Sequence, residues 1–152
     1  MKQESLFAGK PAQSEFEAIA NIDGGARGNP GPAAYGVVVR NGRGDVLAEL
    51  SDYLGLQTNN FAEYSGLLAA LEYAAQQRYQ SLKVLSDSEL LVRQMQGRYK
   101  VSSPGLKPLY DKACRLVEKF HVFAIEHVLR EKNKEADRLV NKVLDNRERG
   151  VR

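Results

Sequence analysis

The chain has 152 residues, of which 43% are hydrophobic and 27% are charged, and its formal net charge is +3. This length and composition are typical of one globular domain and exclude a disordered or collagen-like chain. The positive charge is compatible with a polyanionic partner but does not establish one. The single cysteine, Cys114, excludes an internal disulfide, and no apolar run approaches the roughly 18 residues of a membrane span. We therefore expect a soluble, cytoplasmic protein.

The pattern along the chain divides it into one domain and two short ends. Residues 1–14 are polar, lack periodicity and contain a proline, so we interpret them as a flexible N-terminal extension. Apolar periodicity then continues to residue 146, which predicts a single domain over 15–146. Residues 147–152 are mostly charged and predict a C-terminal tail.

The first part of the domain predicts three strands. An alternating segment over 16–23 ends on Asp23, and a turn dense in glycine and proline follows it. Residues 34–40 are rich in β-branched and aromatic side chains, Asn41-Gly42 marks a hairpin, and 46–53 continue the chain outward. Together these segments predict an antiparallel meander.

Helical periodicity begins after the meander. Residues 61–75 have one apolar helical face, and Thr58-Asn59-Asn60 ahead of them are cap candidates. Residues 82–85 predict a buried strand, and the cap-like run Ser86-Asp87-Ser88-Glu89 opens a second, shorter helix.

The last part of the domain predicts a helix over 106–120, a strand over 121–128 and a final helix capped by Asn133. The predicted order is therefore βββαβααβα. Helical crossovers favour parallel pairing, so the predicted fold class is α/β, with a five-stranded mixed sheet flanked by helices.

Acidic residues stand at the ends of the predicted elements. Asp23 ends the first strand, Glu63 lies in the first turn of the first helix, Asp87 follows the fourth strand, and Asp137 lies near the start of the last helix. In α/β folds these ends gather on one side of the sheet, where ligands bind. Carboxylates gathered there repel one another, and hard divalent cations such as Mg²⁺ or Mn²⁺ relieve that repulsion. Because two such ions can hold the attacking and leaving oxygens of a phosphodiester, the pattern indicates metal-assisted phosphoryl transfer.

Each acid also has a purely structural interpretation when it is taken alone. Asp23 fits a surface residue that starts a turn, and Glu63, three residues after Asn60, fits a capping box. Asp87 fits the first turn of a helix, where the dipole favours an acid, and Asp137 fits a solvated acid among basic neighbours. Helical periodicity places Glu63 and Asp137 at the margin of the apolar face, but it does not show that they meet.

Four motifs resemble those of type 1 ribonuclease H in order, spacing and context. They are Asp23-Gly-Gly-Ala-Arg-Gly-Asn-Pro-Gly-Pro, Thr58-Asn-Asn-Phe-Ala-Glu63, Ser86-Asp87-Ser88 and Asn133-Lys-Glu-Ala-Asp137. The resemblance covers residues 16–146. It implies the ribonuclease H-like fold and an endonuclease that hydrolyses the RNA strand of an RNA/DNA hybrid to 5′-phosphate and 3′-hydroxyl products.

The resemblance also implies the cofactor and the catalytic residues. Asp23, Glu63, Asp87 and Asp137 match the metal-binding acids of the family, which uses two Mg²⁺ or Mn²⁺ ions in each site. On this basis Asp23 is expected to bridge both ions, Glu63 and Asp87 to serve one of them, and Asp137 to serve the ion that activates water.

Polar residues beside the acids match the substrate-binding positions of the family. Asn29, Asn59 and Asn60 match positions that reach the minor groove, where 2′-hydroxyls distinguish RNA from DNA. Thr58 matches a position that holds a phosphate of the DNA strand, although helix capping also explains this residue. Arg130 is a candidate contact of the cleaved phosphate, with a solvent-facing arginine as the alternative.

Three features depart from the family pattern. The link Leu129-Arg130-Glu131-Lys132 is short and contains no histidine, so the product-release role of a loop histidine is vacant or altered, and His127 is interpreted as a sheet residue. Glu89 stands where other members have glutamine. Residues 98–107 lack a basic, aromatic-rich protrusion, which predicts modest and salt-sensitive affinity. This compact form is most similar to the short type 1 enzymes of archaea and some bacteria.

Two alternatives to a hybrid-specific endonuclease stay open. A short loop and a weaker grip relax the check on the second strand, which favours a nuclease that also cleaves double-stranded RNA. A non-catalytic nucleic-acid-binding module of the same fold is the other alternative. The expected partners are the hybrid duplex and double-stranded RNA, with no membrane, and a monomer is the expected state.

Overall fold

The computed structural model describes residues 15–150, so the predicted extension over 1–14 lies outside the described residues. The predicted order of helices and strands is confirmed. The strands are β1 (Ala18–Ala26), β2 (Gly31–Arg40), β3 (Val46–Gln57), β4 (Ser81–Ser86) and β5 (Val122–His127). The helices are α1 (Asn59–Gln76), α2 (Glu89–Met95), α3 (Lys107–Val117) and α4 (Lys134–Glu148), and a 3-10 turn, Arg130–Lys132, precedes α4.

The strands form one mixed sheet in the order β3-β2-β1-β4-β5, as predicted. β2 pairs antiparallel with both β1 and β3, because short turns join these three strands. β4 runs parallel to β1, and β5 runs parallel to β4, because helices make the connections there. β1 is therefore the central strand, with one antiparallel and one parallel neighbour.

β1 is longer than the sequence predicts, so the prediction that Asp23 ends this strand is wrong. Parallel pairing with β4 stops at Ile22 and Ser86, but antiparallel pairing with β2 continues to Ala26. The sequence predicts a turn after Asp23 because glycine tolerates positive φ and prolines follow it. Asp23 lies inside β1, one residue beyond the last parallel pair, where β4 has already ended.

Helices cover both faces of the sheet and approach it closely at glycines. α1 packs on the face that includes the buried residues Ile22 and Val37, and α4 packs on the opposite face against Ala34. A Cβ on Gly24 would overlap the backbone of α1, and a Cβ on Gly36 would lie 2.8 Å from Cβ of Leu139 in α4. These approaches bring α1 against β1 and α4 against β2, on opposite faces of the sheet.

The helix starts confirm one predicted cap and correct another. The hydroxyl oxygen of Thr58 accepts a hydrogen bond from the Phe61 amide at 3.1 Å, so the cap predicted for α1 is confirmed. Because α1 begins at Asn59, Glu63 lies in its second turn, and the predictions of a first-turn position and of a capping box with Asn60 are wrong. Glu63 therefore has no capping role in α1.

α4 continues to Glu148 and so extends two residues into the segment predicted as a tail over 147–152. The division of the chain into a domain over 15–146 and two ends stays a prediction. None of the helices in residues 15–150 combines the length and the apolar character needed to cross a bilayer.

Candidate active site

The structure brings the four predicted acids together in one cleft beside the end of β4, here called the acidic cleft. Carboxylate oxygens of Asp23, Glu63 and Asp87 all lie within 4.8 Å of one another. Asp137 lines the same cleft, which has a volume of about 380 Å³, and it shares a hydrogen bond with the Asp23 carboxyl group. Residues that are up to 114 positions apart in the chain thus form one acidic surface.

Three of the acids are placed by the pairing of β1 with β4 and by the close approach of α1. Ile22 and Ser86 are partners in the parallel register, so the residues that follow them, Asp23 and Asp87, emerge side by side. Glu63 reaches Asp23 because Gly24 lets the α1 backbone lie directly against β1. The geometry of these carboxylates is therefore a direct result of strand register and helix packing.

Asp137 is placed by the buried Asn133 at the start of α4. The side-chain NH₂ group of Asn133 donates to the Ile22 carbonyl oxygen at 2.8 Å, and its Oδ1 accepts a hydrogen bond from the side chain of Asn21 at 3.0 Å. Asn133 occupies the N-cap position of α4, as predicted, but its side chain makes no capping hydrogen bond, because it is buried and is used in these two bonds. They tie the first turn of α4 to β1 next to Asp23.

Burial and mutual repulsion favour the protonated forms of these acids. Burial, followed by the charge of Asp87, raises the pKa of Asp23 to about 8. Burial also raises the pKa of Glu63 to about 7, against an opposing hydrogen bond from Ser88. The pKa of Asp87 is raised by burial, and the nearby Arg130 offsets part of that effect. Near neutral pH the acidic cleft thus favours protons or a cation that replaces them.

The donor set fits Mg²⁺ or Mn²⁺. The three clustered side chains offer only carboxylate oxygens, and hard divalent cations prefer oxygen ligands. Burial and neighbouring negative charges raise the pKa of Asp23 and of Glu63. A bound cation would offset both effects, because it stabilises the ionised carboxylates.

The raised pKa values predict that the metal-free protein loses stability as the pH rises. The pKa of Asp23 is about 8 in the folded state instead of the ordinary 3.8, and the pKa of Glu63 is about 7 instead of 4.5. Between these limits the folded state binds more protons than the unfolded state, so stability falls with rising pH. We expect the free energy of unfolding in EDTA to fall by several kcal/mol, up to about 6 kcal/mol, between pH 5 and pH 8.

Urea unfolding at several pH values measures this fall, and millimolar Mg²⁺ should remove most of it. The Asp23→Asn variant is the control, because it lacks the buried carboxylate and should show a flatter profile. A wild-type profile in EDTA that is flat, or as steep as that of the variant, would contradict the prediction.

Known proteins resemble this chain in sequence and in fold. The family described as "Reverse transcriptase-like" matches residues 21–143. The ribonuclease HI of Halobacterium salinarum is 42% identical over 126 residues, which are 83% of this chain and 63% of that protein. A crystal structure of RNase H1 from the same archaeon has a TM-score of 0.82 and 41% identity, covering 85% of this chain and 98% of that one. The chain belongs to the ribonuclease H family.

Two further relatives are close to this ribonuclease H family member. The N-terminal RNase H domain of a Mycobacterium tuberculosis protein has a TM-score of 0.85 and 43% identity, covering 90% of this chain and 99% of that one. The structure of LC11-RNase H1 in complex with an RNA/DNA hybrid has a TM-score of 0.80 and 44% identity, covering 85% of this chain and 97% of that one. The chain spans 36% of the length of the curated mycobacterial relatives it matches.

Of the residues with predicted substrate roles, Asn59 and Arg130 line the acidic cleft, and the others lie beside Asn59. Oδ1 of Asn29 accepts a hydrogen bond from the backbone amide of Asn59 at 3.0 Å, and Oδ1 of Asn59 accepts one from the backbone amide of Ala26 at 2.8 Å. These bonds tie the glycine-rich turn to the start of α1, where Thr58 and the exposed Asn60 also lie. Because the amide oxygens of Asn29 and Asn59 are engaged, their NH₂ groups are the donors left for a ligand.

Arg130, His127 and Glu89 stand where the sequence departs from the family pattern. The Arg130 side chain is 90% exposed, and its Nε lies 3.9 Å from Oδ2 of Asp87. His127 ends β5 and is exposed. Glu89 forms a 2.6 Å ion pair with Arg93, so a neighbouring cation offsets its charge, and Ser88 rather than Glu89 caps α2.

Sequence reasoning missed two polar residues of the cleft. Arg27 and Asn141 both line it, and the Arg27 guanidinium donates to Oδ1 of Asn141 at 3.2 Å. A signal was present, because Asn141 lies four residues after Asp137, a spacing that places both on one helical face. Arg27 lies within the glycine-rich motif, whose polar residues other than Asp23 and Asn29 were given no role.

Proposed function

We propose that the protein is an endonuclease that hydrolyses the RNA strand of RNA/DNA hybrids, leaving 5′-phosphate and 3′-hydroxyl ends, with two Mg²⁺ or Mn²⁺ ions in its site. The observation that carries this proposal is the set of Asp23, Glu63 and Asp87 oxygens within 4.8 Å of one another, with Asp137 beside them. A relative 44% identical over nearly its whole length is described in complex with an RNA/DNA hybrid, which supports the substrate.

The four acids divide the work of binding the cations. Asp23, central and 9% exposed, would hold both ions, Glu63 and Asp87 would hold one of them, and Asp137 would hold the other. When bound, the two ions supply the positive charge that polarises the attacking water and stabilises the leaving oxygen. Asp23 itself is largely shielded from bulk water, which strengthens the interaction of its carboxylate with a cation.

Polar residues at the acidic cleft and at the start of α1 would orient the duplex. The NH₂ groups of Asn29 and Asn59, together with Asn60, would read 2′-hydroxyls in the minor groove, and Thr58 would hold a phosphate of the DNA strand. Arg130 combines high exposure with a position 3.9 Å from Asp87, which suits a contact with the phosphate that is cleaved. A cytoplasmic location and a monomeric state remain predictions.

Cleavage of matched, end-labelled RNA/DNA, RNA/RNA and DNA/DNA duplexes tests this function. We expect cleavage of the RNA strand of the hybrid with Mg²⁺ or Mn²⁺ and none in EDTA, because uncompensated carboxylates repel the phosphate backbone. End analysis of the products should give 5′-phosphate and 3′-hydroxyl termini.

The other outcomes of the same assay correspond to the two alternatives. Cleavage of RNA/RNA at a comparable rate would replace hybrid specificity with the relaxed nuclease. Binding of the hybrid without cleavage, with either metal, would favour the non-catalytic module and would refute the proposed activity.

A further inference from the structure

Asn141 connects Asp137 to an arginine on the other side of the cleft. Its Nδ2 donates to Oδ2 of Asp137 at 3.3 Å, and its Oδ1 accepts from Nη2 of Arg27 at 3.2 Å. We propose that Asn141 is a positioning residue that orients the Asp137 carboxylate for catalysis, and that Arg27 holds Asn141 in place. This inference rests on the nuclease function proposed above.

The chemistry of the three groups allows only one orientation of the Asn141 amide. An ionised carboxylate only accepts hydrogen bonds, and a guanidinium only donates them. The NH₂ group must therefore face Asp137 and the oxygen must face Arg27. The rotated amide would place an acceptor against an acceptor and a donor against a donor, so the pair of neighbours fixes the side chain.

Arg27 is itself fixed by two ion pairs with α4. Its guanidinium lies 2.8 Å from Oδ1 of Asp145 and 2.8 Å from Oε2 of Glu148, and its side chain is 33% exposed. Its backbone amide also donates to the Pro32 carbonyl oxygen at 2.9 Å, within the turn between β1 and β2. Charged bonds of this geometry hold a planar guanidinium in a defined position. The partner of Asn141 is thus anchored at its backbone and at its side chain.

Asp137 has a greater need for such support than the other acids. Asp23, Glu63 and Asp87 come from elements packed directly against one another, and their oxygens form the compact set within 4.8 Å. Asp137 comes from α4 and contacts this set through its hydrogen bond with Asp23. When both carboxylates serve as ligands, that bond is lost. Of the side-chain donors in residues 15–150, the Asn141 amide is then the one that holds Asp137.

The test compares Asn141→Ala with Asn146→Ala as a matched control. Asn146 lies on the same helix and accepts a 2.8 Å hydrogen bond from Arg149, but it does not line the cleft. We expect Asn141→Ala to lower kcat for hybrid cleavage about tenfold, the size typical of groups that orient metal ligands, with KM within about twofold of wild type. Asn146→Ala should leave both values unchanged.

Two further measurements separate positioning from a structural role. The Tm should be the same in Asn141→Ala and Asn146→Ala, because the set of three acids does not depend on Asn141. The Mn²⁺ affinity of the free protein, measured by calorimetry, should be lower in Asn141→Ala alone, because Asp137 is one of the proposed ligands. Arg27→Met should lower kcat less than Asn141→Ala does. The double variant should be no slower than Asn141→Ala alone, since both changes act through one chain of contacts.

Each result decides the inference. Equal kcat values for Asn141→Ala and Asn146→Ala in an active enzyme would overturn it, and so would a loss of Tm confined to Asn141→Ala. Additive effects of Arg27→Met and Asn141→Ala would overturn the role of Arg27. A wild-type protein that cleaves no duplex would instead refute the proposed function, and the inference with it.

Discussion

The Asp23→Asn variant should cleave the hybrid at least about 10³-fold more slowly than wild type, with Mg²⁺ or Mn²⁺, while its fold stays intact. Asp23 is the most central of the acids, because its carboxyl group faces Asp87 and hydrogen-bonds with Asp137. Asparagine has nearly the same shape but lacks the charge that the cations need. Single-turnover cleavage with saturating enzyme measures the loss of the chemical step without a contribution from product release.

The same substitution should leave the Tm of the metal-free protein at pH 8 unchanged or higher. The Asp23 side chain is 9% exposed and lies among other acids, so its ionised form costs free energy in the absence of a cation. A neutral amide removes that cost. A gain in stability together with a loss of activity would show that the Asp23 carboxylate is needed for activity although it destabilises the fold.

Asp111→Asn is the control for this experiment. Asp111 lies on α3, where it forms a 3.1 Å ion pair with Lys107, one helical turn away on the protein surface. Its loss should change stability by only about 0.5 kcal/mol and should not affect cleavage. An Asp23→Asn protein that cleaves within about tenfold of wild type would show that the acidic cleft is not the site of the reaction.

Gly24→Ala should destabilise the protein by about 3 kcal/mol or more and should abolish cleavage. A Cβ at this position would overlap the carbonyl group of Ala62 and would lie 2.5 Å from the Glu63 nitrogen. These are backbone atoms of α1 and cannot rotate away, so the helix must move off the sheet. Glu63 moves with it and leaves the set of three acids. Urea unfolding measures the loss of stability, and the hybrid assay measures the loss of activity.

Gly25→Ala is a matched control one residue further along β1. The nearest atom to its added Cβ would be Cγ1 of Val140, at 3.9 Å, which is an ordinary van der Waals contact. We expect a change of no more than about 1 kcal/mol and a measurable rate of cleavage. If the two variants were equally destabilised, the close approach of α1 would not be the reason for glycine at position 24.

The element order was predictable because its signals are local. The alternation in β1 and β2 and the helical face of α1 are properties of short windows, and the Thr58 cap is read from neighbouring residues. The acids and their motifs were identified through a family resemblance that also depends only on order and spacing. These features can be identified from the sequence without knowing which residues pack against them.

The predictions that failed depended on packing. Gly24 was interpreted as a turn residue, but it lies in a strand paired with Tyr35 of β2, at a point where the α1 backbone occupies the space of a side chain. Asn133 is the N-cap residue of α4, as predicted, but its side chain is buried and bonded to β1 instead of capping the helix. Local propensity favours the turn and the cap, and tertiary contacts override it at both positions.

By itself, the sequence determined the order of the elements, the mixed sheet and the identity of the four acids. The tertiary structure decided that their carboxylates meet, with three of them within 4.8 Å, and that Arg27 contacts Asn141 across 114 positions of the chain. Distances of this kind depend on strand register and on how closely each helix packs against the sheet. They arise from contacts between distant segments, which no local pattern encodes.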